Sequence, residues 1–252
     1  MPTSTLAAPA ASPNLLSTPS YPPATLVWTG ADALEHQVAA NSAVPHSALL
    51  DTIMRPVSGP NHVVSQDEST DGLLVALGGD QRLAEAVLLA DRDPSVIDFV
   101  LRPAEIRWHS VPSAPTFVVP MLQKVRNRRY RVIDTMADRG MMVPMIQDVC
   151  REIGWEYTPF RPPSPAMMAN LGDLACDRHW WVVDGWSETF DKMLTLCRRP
   201  RTIDALCRAV RPSDPDQARA LVNFAIWHEF LIADLEVPIT GNTEIISASA
   251  AR

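Results

Sequence analysis

The chain has few of the signatures that would assign it a familiar chemistry. Its four cysteines, Cys150, Cys176, Cys197 and Cys207, lie far apart with no CxxC pair. That spacing argues against a disulfide framework or a zinc site and for reduced thiols in a cytoplasmic protein. The six histidines (36, 46, 62, 109, 179 and 228) form no HxxxH or HxH unit. No glycine-rich phosphate loop, no GxSxG elbow and no Cys–His nucleophile constellation is present. No run of about 18 apolar residues exists, so no membrane-spanning segment is expected. The N-terminus has no basic stretch leading into an apolar core, which excludes a secretory signal of the usual kind. The first 25 residues carry no charged side chain at all.

What is present fits a globular α/β protein of one large or two small domains. The chain has 252 residues, of which 46% are hydrophobic and 20% charged. The formal charge of −7 excludes a simple histone-like nucleic-acid binder. The charge is uneven, however. Residues 1–70 hold one basic residue, Arg55, against five acids, whereas cations gather at 124–131 and 198–211. An acidic average with local basic patches fits a nucleic-acid contact confined to one face.

Along the chain, residues 1–70 read as largely disordered, with possible short elements at LVW and HSALLDTIMRP, and order is expected to begin near residue 71. DQRLAEAVLLADRD has helical periodicity with Asp80 as N-cap. SVIDFVLRP and AEIRWHS read as strands, and TFVVPML with RRYRVIDTM as a hairpin. MVPMIQDVCREIG is a helix closed by Gly154, and WEYTPF a returning strand. From about residue 164 the pattern becomes helical. Residues 178–236 then read as a separate helical unit ending in an apolar strand, the outline of a winged helix. The stretch 237–252 reads as a tail. The tryptophans of HWWVVDGW are expected to pack at the joint between the two units.

Three stretches, in order, resemble the TnsA-type endonuclease subunit of heteromeric transposases. LAEAVLLADRDPSVIDFVLRPAEIRW is similar to that family's acidic helix, D-P-x-V corner and QP-x-x-I strand. PTFVV and YRVID sit where it has its PDF-x-V and E-V-K strands. IGWEYTPFRPPSPAMMANLGDL resembles its G-W-x-Y strand and N-L-x-x-L helix. The resemblance implies a restriction-endonuclease-like mixed sheet with flanking helices over 71–177, then the winged helix. It also implies Mg²⁺-dependent DNA cleavage by helix and strand carboxylates with an assisting lysine. Residue by residue, the helix acid falls at Glu85, the strand aspartate becomes Thr116, the second-strand acid is Asp134 and the lysine becomes Met136.

Thr116 and Met136 supply neither ligand nor charge, so the expectation is a nuclease fold without its chemistry and without a cofactor. Glu85 and Asp134 remain the weak candidates for metal ligands. The basic turn of Lys124, Arg126, Arg128, Arg129 and Arg131 is then the leading DNA-backbone contact, with Arg198, Arg199 and Arg201 as a second patch. The implied partners are DNA and a transposition protein such as a transposase or its regulatory ATPase, in mobile-element or phage-type DNA transactions. Two alternatives stay open: a working Mg²⁺ endonuclease with migrated ligands, and a transcription regulator reading DNA through the winged helix.

Overall fold

The computed structural model describes residues 23–41, 43–51, 66–68, 74–76, 80–109, 116–136 and 139–251. These form a mixed α/β structure with several sheets and seven α-helices among the described residues. The first part runs β1 (Ala24–Thr29), β2 (Glu35–Ala39), α1 (His46–Leu50), β3 (Gln66–Glu68), β4 (Leu74–Ala76), α2 (Gln81–Arg92) and β5 (Val96–Leu101). It continues through β6 (Glu105–Trp108), β7 (Phe117–Val118), β8 (Met121–Val125), β9 (Arg129–Asp134), α3 (Met142–Ile153) and β10 (Trp155–Pro159).

The central sheet has the order β5–β8–β9–β10. β5, β8 and β9 pair antiparallel, with β6 and β7 of the other sheet lying between β5 and β8 in the chain, and α3 carries the chain over to β10, which lies parallel to β9. Such a parallel return needs a crossover, and α3 supplies it. Successive side chains of a strand point to opposite faces, so each face takes every second residue. Met121 and Ile133 face α2, where they pack with Leu83, Ala86, Val87 and Ala90. Leu122 and Val132 face α3, where they pack with Ile146, Val149 and Ile153. Both helices end as their sequences require. The Asp80 carboxylate accepts from the Leu83 N–H at 3.0 Å, and Gly154 adopts φ 88°, which costs a residue without a Cβ little.

Two expectations are corrected in this part. Order begins well before residue 71: β1 and β2 pair antiparallel, and β1 also pairs with β6. Leu26 and Leu49 are fully buried. The segment reads as weakly patterned because its apolar residues come in short runs, such as the buried Leu26–Trp28, separated by polar turns. The second correction concerns the hairpin. Phe117–Val118 does not run with RYRVID but pairs with β6 at the edge of the sheet β2–β1–β6–β7. Pro120, which has no N–H to donate to a ladder, separates it from β8, and MLQKV is the strand that pairs with β9.

The second part runs α4 (Pro165–Ala175), α5 (Ser187–Leu196), β11 (Arg201–Thr202), α6 (Ile203–Val210), α7 (Pro215–Trp227), β12 (Leu231–Ala233) and β13 (Glu244–Ser247). A small antiparallel sheet of order β11–β13–β12 closes it. Here the expected tail is corrected. β13 is the central strand of that sheet, with Ile245 and Ser247 buried. A strand of four residues flanked by Thr, Asn, Ser and Ala carries too little pattern to be recognised without its neighbours. The tryptophans are corrected in part. Trp186 packs against the core of this part, whereas Trp180 and Trp181 are 61% and 68% exposed, and beside them it is Val182 that enters the core.

The two parts are tightly joined. Leu88 and Leu89 on the outer side of α2 pack against the core that contains Leu171 and Leu174 of α4. Next to them the Asp91 carboxylate and the Arg178 guanidinium form an ion pair at 3.0 Å, with side chains only 4% and 7% exposed.

Candidate functional site

Asp134 closes β9 and is 1% exposed. By the alternation of the strand it shares a face with Val132, the face covered by α3. Its carboxylate accepts from the Tyr157 hydroxyl at 2.8 Å and from Arg139 Nε at 3.1 Å on Oδ2. It also accepts from Arg139 Nη2 at 3.1 Å and from the Met136 N–H at 3.2 Å on Oδ1. An ionised carboxylate offers about four lone-pair positions. Four donors occupy them. The surrounding groups respond to this buried charge. The Cys150 thiol is pushed up to about 12, first by burial and then by Asp134. The Tyr157 hydroxyl is pushed far above its ordinary value by burial, and next by its bond to Asp134.

The other positions matched to the nuclease do not converge on Asp134. Glu85 lies on α2, against the opposite face of the sheet, where its Oε1 accepts from Gln81 Nε2 at 3.0 Å. Thr116 is exposed and precedes β7, in the other sheet. Met136 is 54% exposed and contributes only its backbone N–H. Among the described residues no group of three or more His, Cys, Asp or Glu is arranged to hold a metal ion. Glu85 and Asp134 as a ligand pair are therefore corrected. With a two-residue side-chain period, Asp134 cannot face α2 while Ile133 does. On the α2 side a cavity of about 490 Å³ is lined by Ala86, Ala90, Gln123, Arg131 and Ile133, and Asp93 is the one carboxylate in its wall.

The basic turn divides in two. Val125 pairs with Arg129, and Arg126, Asn127 and Arg128 between them make a tight connection. Asn127 and Arg128 have φ of 70° and 58°. Asparagine tolerates this left-handed region, whereas for arginine it is uncommon, so the tip is held by its surroundings. One of those holds is the Arg126 N–H, which donates to Ser95 O at 2.8 Å. Arg126, Arg128 and Arg129 are exposed. Lys124 is half-buried beside Tyr130 in the pairing register, and Arg131 lies 3.6 Å from Glu156. Three of the five cations thus fan outward and two are engaged in the sheet.

In the second patch Arg198 and Arg199 are exposed after α5, and Arg201 is exposed but donates Nε to Leu196 O at 3.0 Å. α7 is mostly buried. Leu221, Phe224, Ala225, Ile226 and Trp227 are all core residues, and its one cation, Arg219, is half-buried and donates to Asn223. The loop from β12 to β13 is pinned by the buried Asn170 of α4. Its Nδ2 donates to Leu235 O and Val237 O at 2.9 and 2.8 Å, and its Oδ1 accepts from the Ile239 N–H at 3.0 Å.

Arg139, Tyr157, Asn170 and Arg178 therefore hold the structure together, and sequence reading missed all four. Arg139 and Arg178 had no spacing to betray them, whereas Tyr157 stood inside the G-W-x-Y stretch. Asn170 stood inside the N-L-x-x-L stretch and was visible there. The chain has no helix, among the described residues, long and apolar enough to cross a membrane. No family model matches the chain, and no curated protein matches it at a significant level.

Proposed function

We propose that this chain is a non-catalytic DNA-binding component built on a nuclease-type core. It contacts the DNA backbone through the turn between β8 and β9 and works beside a partner protein in mobile-element or phage-type DNA transactions. The observation that carries the loss of chemistry is the saturation of Asp134 by Arg139, Tyr157 and Met136 N–H. A carboxylate that already accepts four donors has no position left for Mg²⁺, which dehydrates reluctantly and demands oxygen ligands of its own. A helix (α2), three antiparallel strands (β5, β8 and β9, with β6 and β7 diverted to the other sheet between β5 and β8), a helix (α3) and a parallel strand (β10) support a restriction-endonuclease-like core. The order α5–β11–α6–α7–β12–β13 with the small three-stranded sheet supports a winged-helix reading of the second part. In such a unit the helix that reads the major groove would be α7, and its burial argues against sequence recognition of that kind. Contact through phosphates is left as the better reading. Guanidinium groups fixed at a hairpin tip suit it.

The test is a mobility-shift and plasmid-nicking assay with and without Mg²⁺ and Mn²⁺. Binding without nicking is expected in both metals. Replacing Arg126, Arg128 and Arg129 together by alanine should weaken binding about equally on unrelated sequences. It should also lower the salt slope by up to about three, near 0.9 per phosphate contact removed. Metal-dependent nicking abolished by Asp134→Asn would overturn the loss of chemistry, and an unchanged affinity and slope would remove the tip from the interface.

A further inference from the structure

Two adjacent tryptophans in open solvent are unusual. Trp has a large apolar surface and is highly buried on average. Here Trp180 and Trp181 stand 61% and 68% exposed on a short turn between α4 and α5. Trp180 is not loose. Its ring meets the edge of the fully buried Phe224 at 5.0 Å between centroids and leans on His228 at 5.1 Å. His228 is itself fixed, because its Nε2 lies 2.7 Å from Arg178 O, a group that only accepts, so Nε2 carries the proton and donates. Trp180 is therefore a braced aromatic surface with most of its area uncovered. Trp181 beside it is stacked on His179.

This surface borders the basic tip. A cleft of about 330 Å³ has Trp180 and His228 on one wall and Pro94 and Val96 on the other. Ser95, between those two residues, accepts the Arg126 N–H, and Val96 is paired with Val125 at the base of the turn. The three exposed arginines consequently rise from the rim of the cleft that Trp180 walls.

The charge within the cleft differs from the charge at its rim. Asp91 is paired with Arg178, and Glu229 lies 3.6 Å from Arg92. Asp93 accepts the Ser95 N–H at 2.8 Å and has acceptor capacity to spare. An interior lined by three carboxylates and one guanidinium, Arg92, with Arg178 paired to Asp91, repels phosphate and favours neutral groups that donate hydrogen bonds. A nucleobase is such a group, with a flat face for the indole and ring or amino N–H groups for carboxylates. In a continuous duplex the base faces are occupied by their neighbours. In an unpaired strand they are free, and stacking on aromatic side chains is how sequence-tolerant single-strand binders use them.

We infer that Trp180 and the Arg126–Arg128 turn form one binding site for an unpaired DNA strand, with a base on the indole and the flanking phosphates on the guanidinium groups. The inference rests on the reading of the chain as DNA-binding and adds the kind of DNA it takes: a single strand, an overhang or a melted segment.

Fluorescence anisotropy of the full chain with a labelled mixed-sequence oligonucleotide, and with the blunt duplex of the same sequence, tests it. The single strand should bind more tightly than the duplex. Trp180→Ala should weaken the strand by about tenfold, within the range for loss of one base–aromatic stack, and leave the duplex unchanged. Trp180→Phe should restore most of the loss, since a phenyl face still stacks. The triple arginine-to-alanine variant should weaken both. A Trp180→Ala chain that binds the strand as well as the parent, while the arginine variant still loses both, overturns the inference alone. The tryptophans would then be a docking face for a protein. No binding of either DNA by the parent chain overturns the DNA-binding reading itself.

Discussion

At the scale of the residue, Asp134 shows how the acceptor positions of a buried carboxylate can all be filled by neighbouring donors. The chain places it at the end of a strand, where a nuclease of the resembled family would want an acid. The residues that decide its role are five positions later in the sequence and on the next strand. Arg139 lies with its guanidinium 4.9 Å over the Phe117 ring and 3.1 Å from the carboxylate, so it is held on two sides. Removing one partner of a buried pair leaves the other charge uncompensated. Arg139→Ala should therefore destabilise the chain by about 3–5 kcal/mol, while Arg139→Lys, which keeps the charge but not the fork, should lose less. Urea denaturation of the two variants checks this. A loss within a few tenths of a kcal/mol for Arg139→Ala would mean that Asp134 is satisfied without it and is again available for other ligands.

At the scale of the element, length and pattern governed what could be read. α2 and α3 were legible because each carries twelve residues of period-3.6 patterning with a recognisable stop. β9 and β10 were legible from their β-branched and aromatic residues. β1 was legible only as the short run LVW and β13 not at all, although each is paired on both sides within its sheet. β13 supplies hydrogen bonds to β11 on one side and β12 on the other, and beyond the ladder its Ser247 N–H donates to Cys197 O at 2.8 Å. Truncation after Thr243 should strip both neighbouring strands of their partner and abolish cooperative unfolding of the second part. The milder Ile245→Ala, at a side chain 1% exposed, should cost about 2–5 kcal/mol. Thermal unfolding followed by circular dichroism distinguishes this from a dispensable tail, whose removal would leave the transition where it was.

At the scale of the whole molecule, the join between the two parts is the feature that no local pattern announced. Asp91 lies in the last turn of α2 and Arg178 just after α4, with nothing in the sequence to link them. Folding brings them together across 87 positions of sequence into a dry pair beside Leu88, Leu89 and the α4 core. Burying two charges is costly, so the pair need not stabilise the fold relative to apolar residues of the same shape. Breaking it is another matter. Asp91→Ala and Arg178→Ala should each cost about 3–5 kcal/mol, and the double variant clearly less than their sum, since it leaves no orphan charge. A double-mutant cycle by chemical denaturation measures the coupling. Additive losses would show that the Asp91–Arg178 pair adds no coupling to the join. The same join brings the tip of β8–β9 to the rim of the cleft walled by Trp180, so the proposed strand-binding site depends on it.

The sequence by itself determined the elements whose signal is local: the helices with caps and stops, the strands rich in β-branched residues, and the basic turn. A hydrophobic period or a cluster of arginines is a property of neighbouring residues and needs no fold to be seen. Only the tertiary structure decided the rest. It set which face of β9 carries Asp134, what fills that carboxylate, which arginines are free at the tip, and that two tryptophans stay in water. Each of these is a matter of pairing between residues far apart in the chain. Strand register fixes the face, and the crossover by α3 fixes which strand brings Tyr157 to Asp134. The sheet formed at the chain's end turns an apparent tail into a core strand, because a strand of four residues gains its identity from the partners it pairs with.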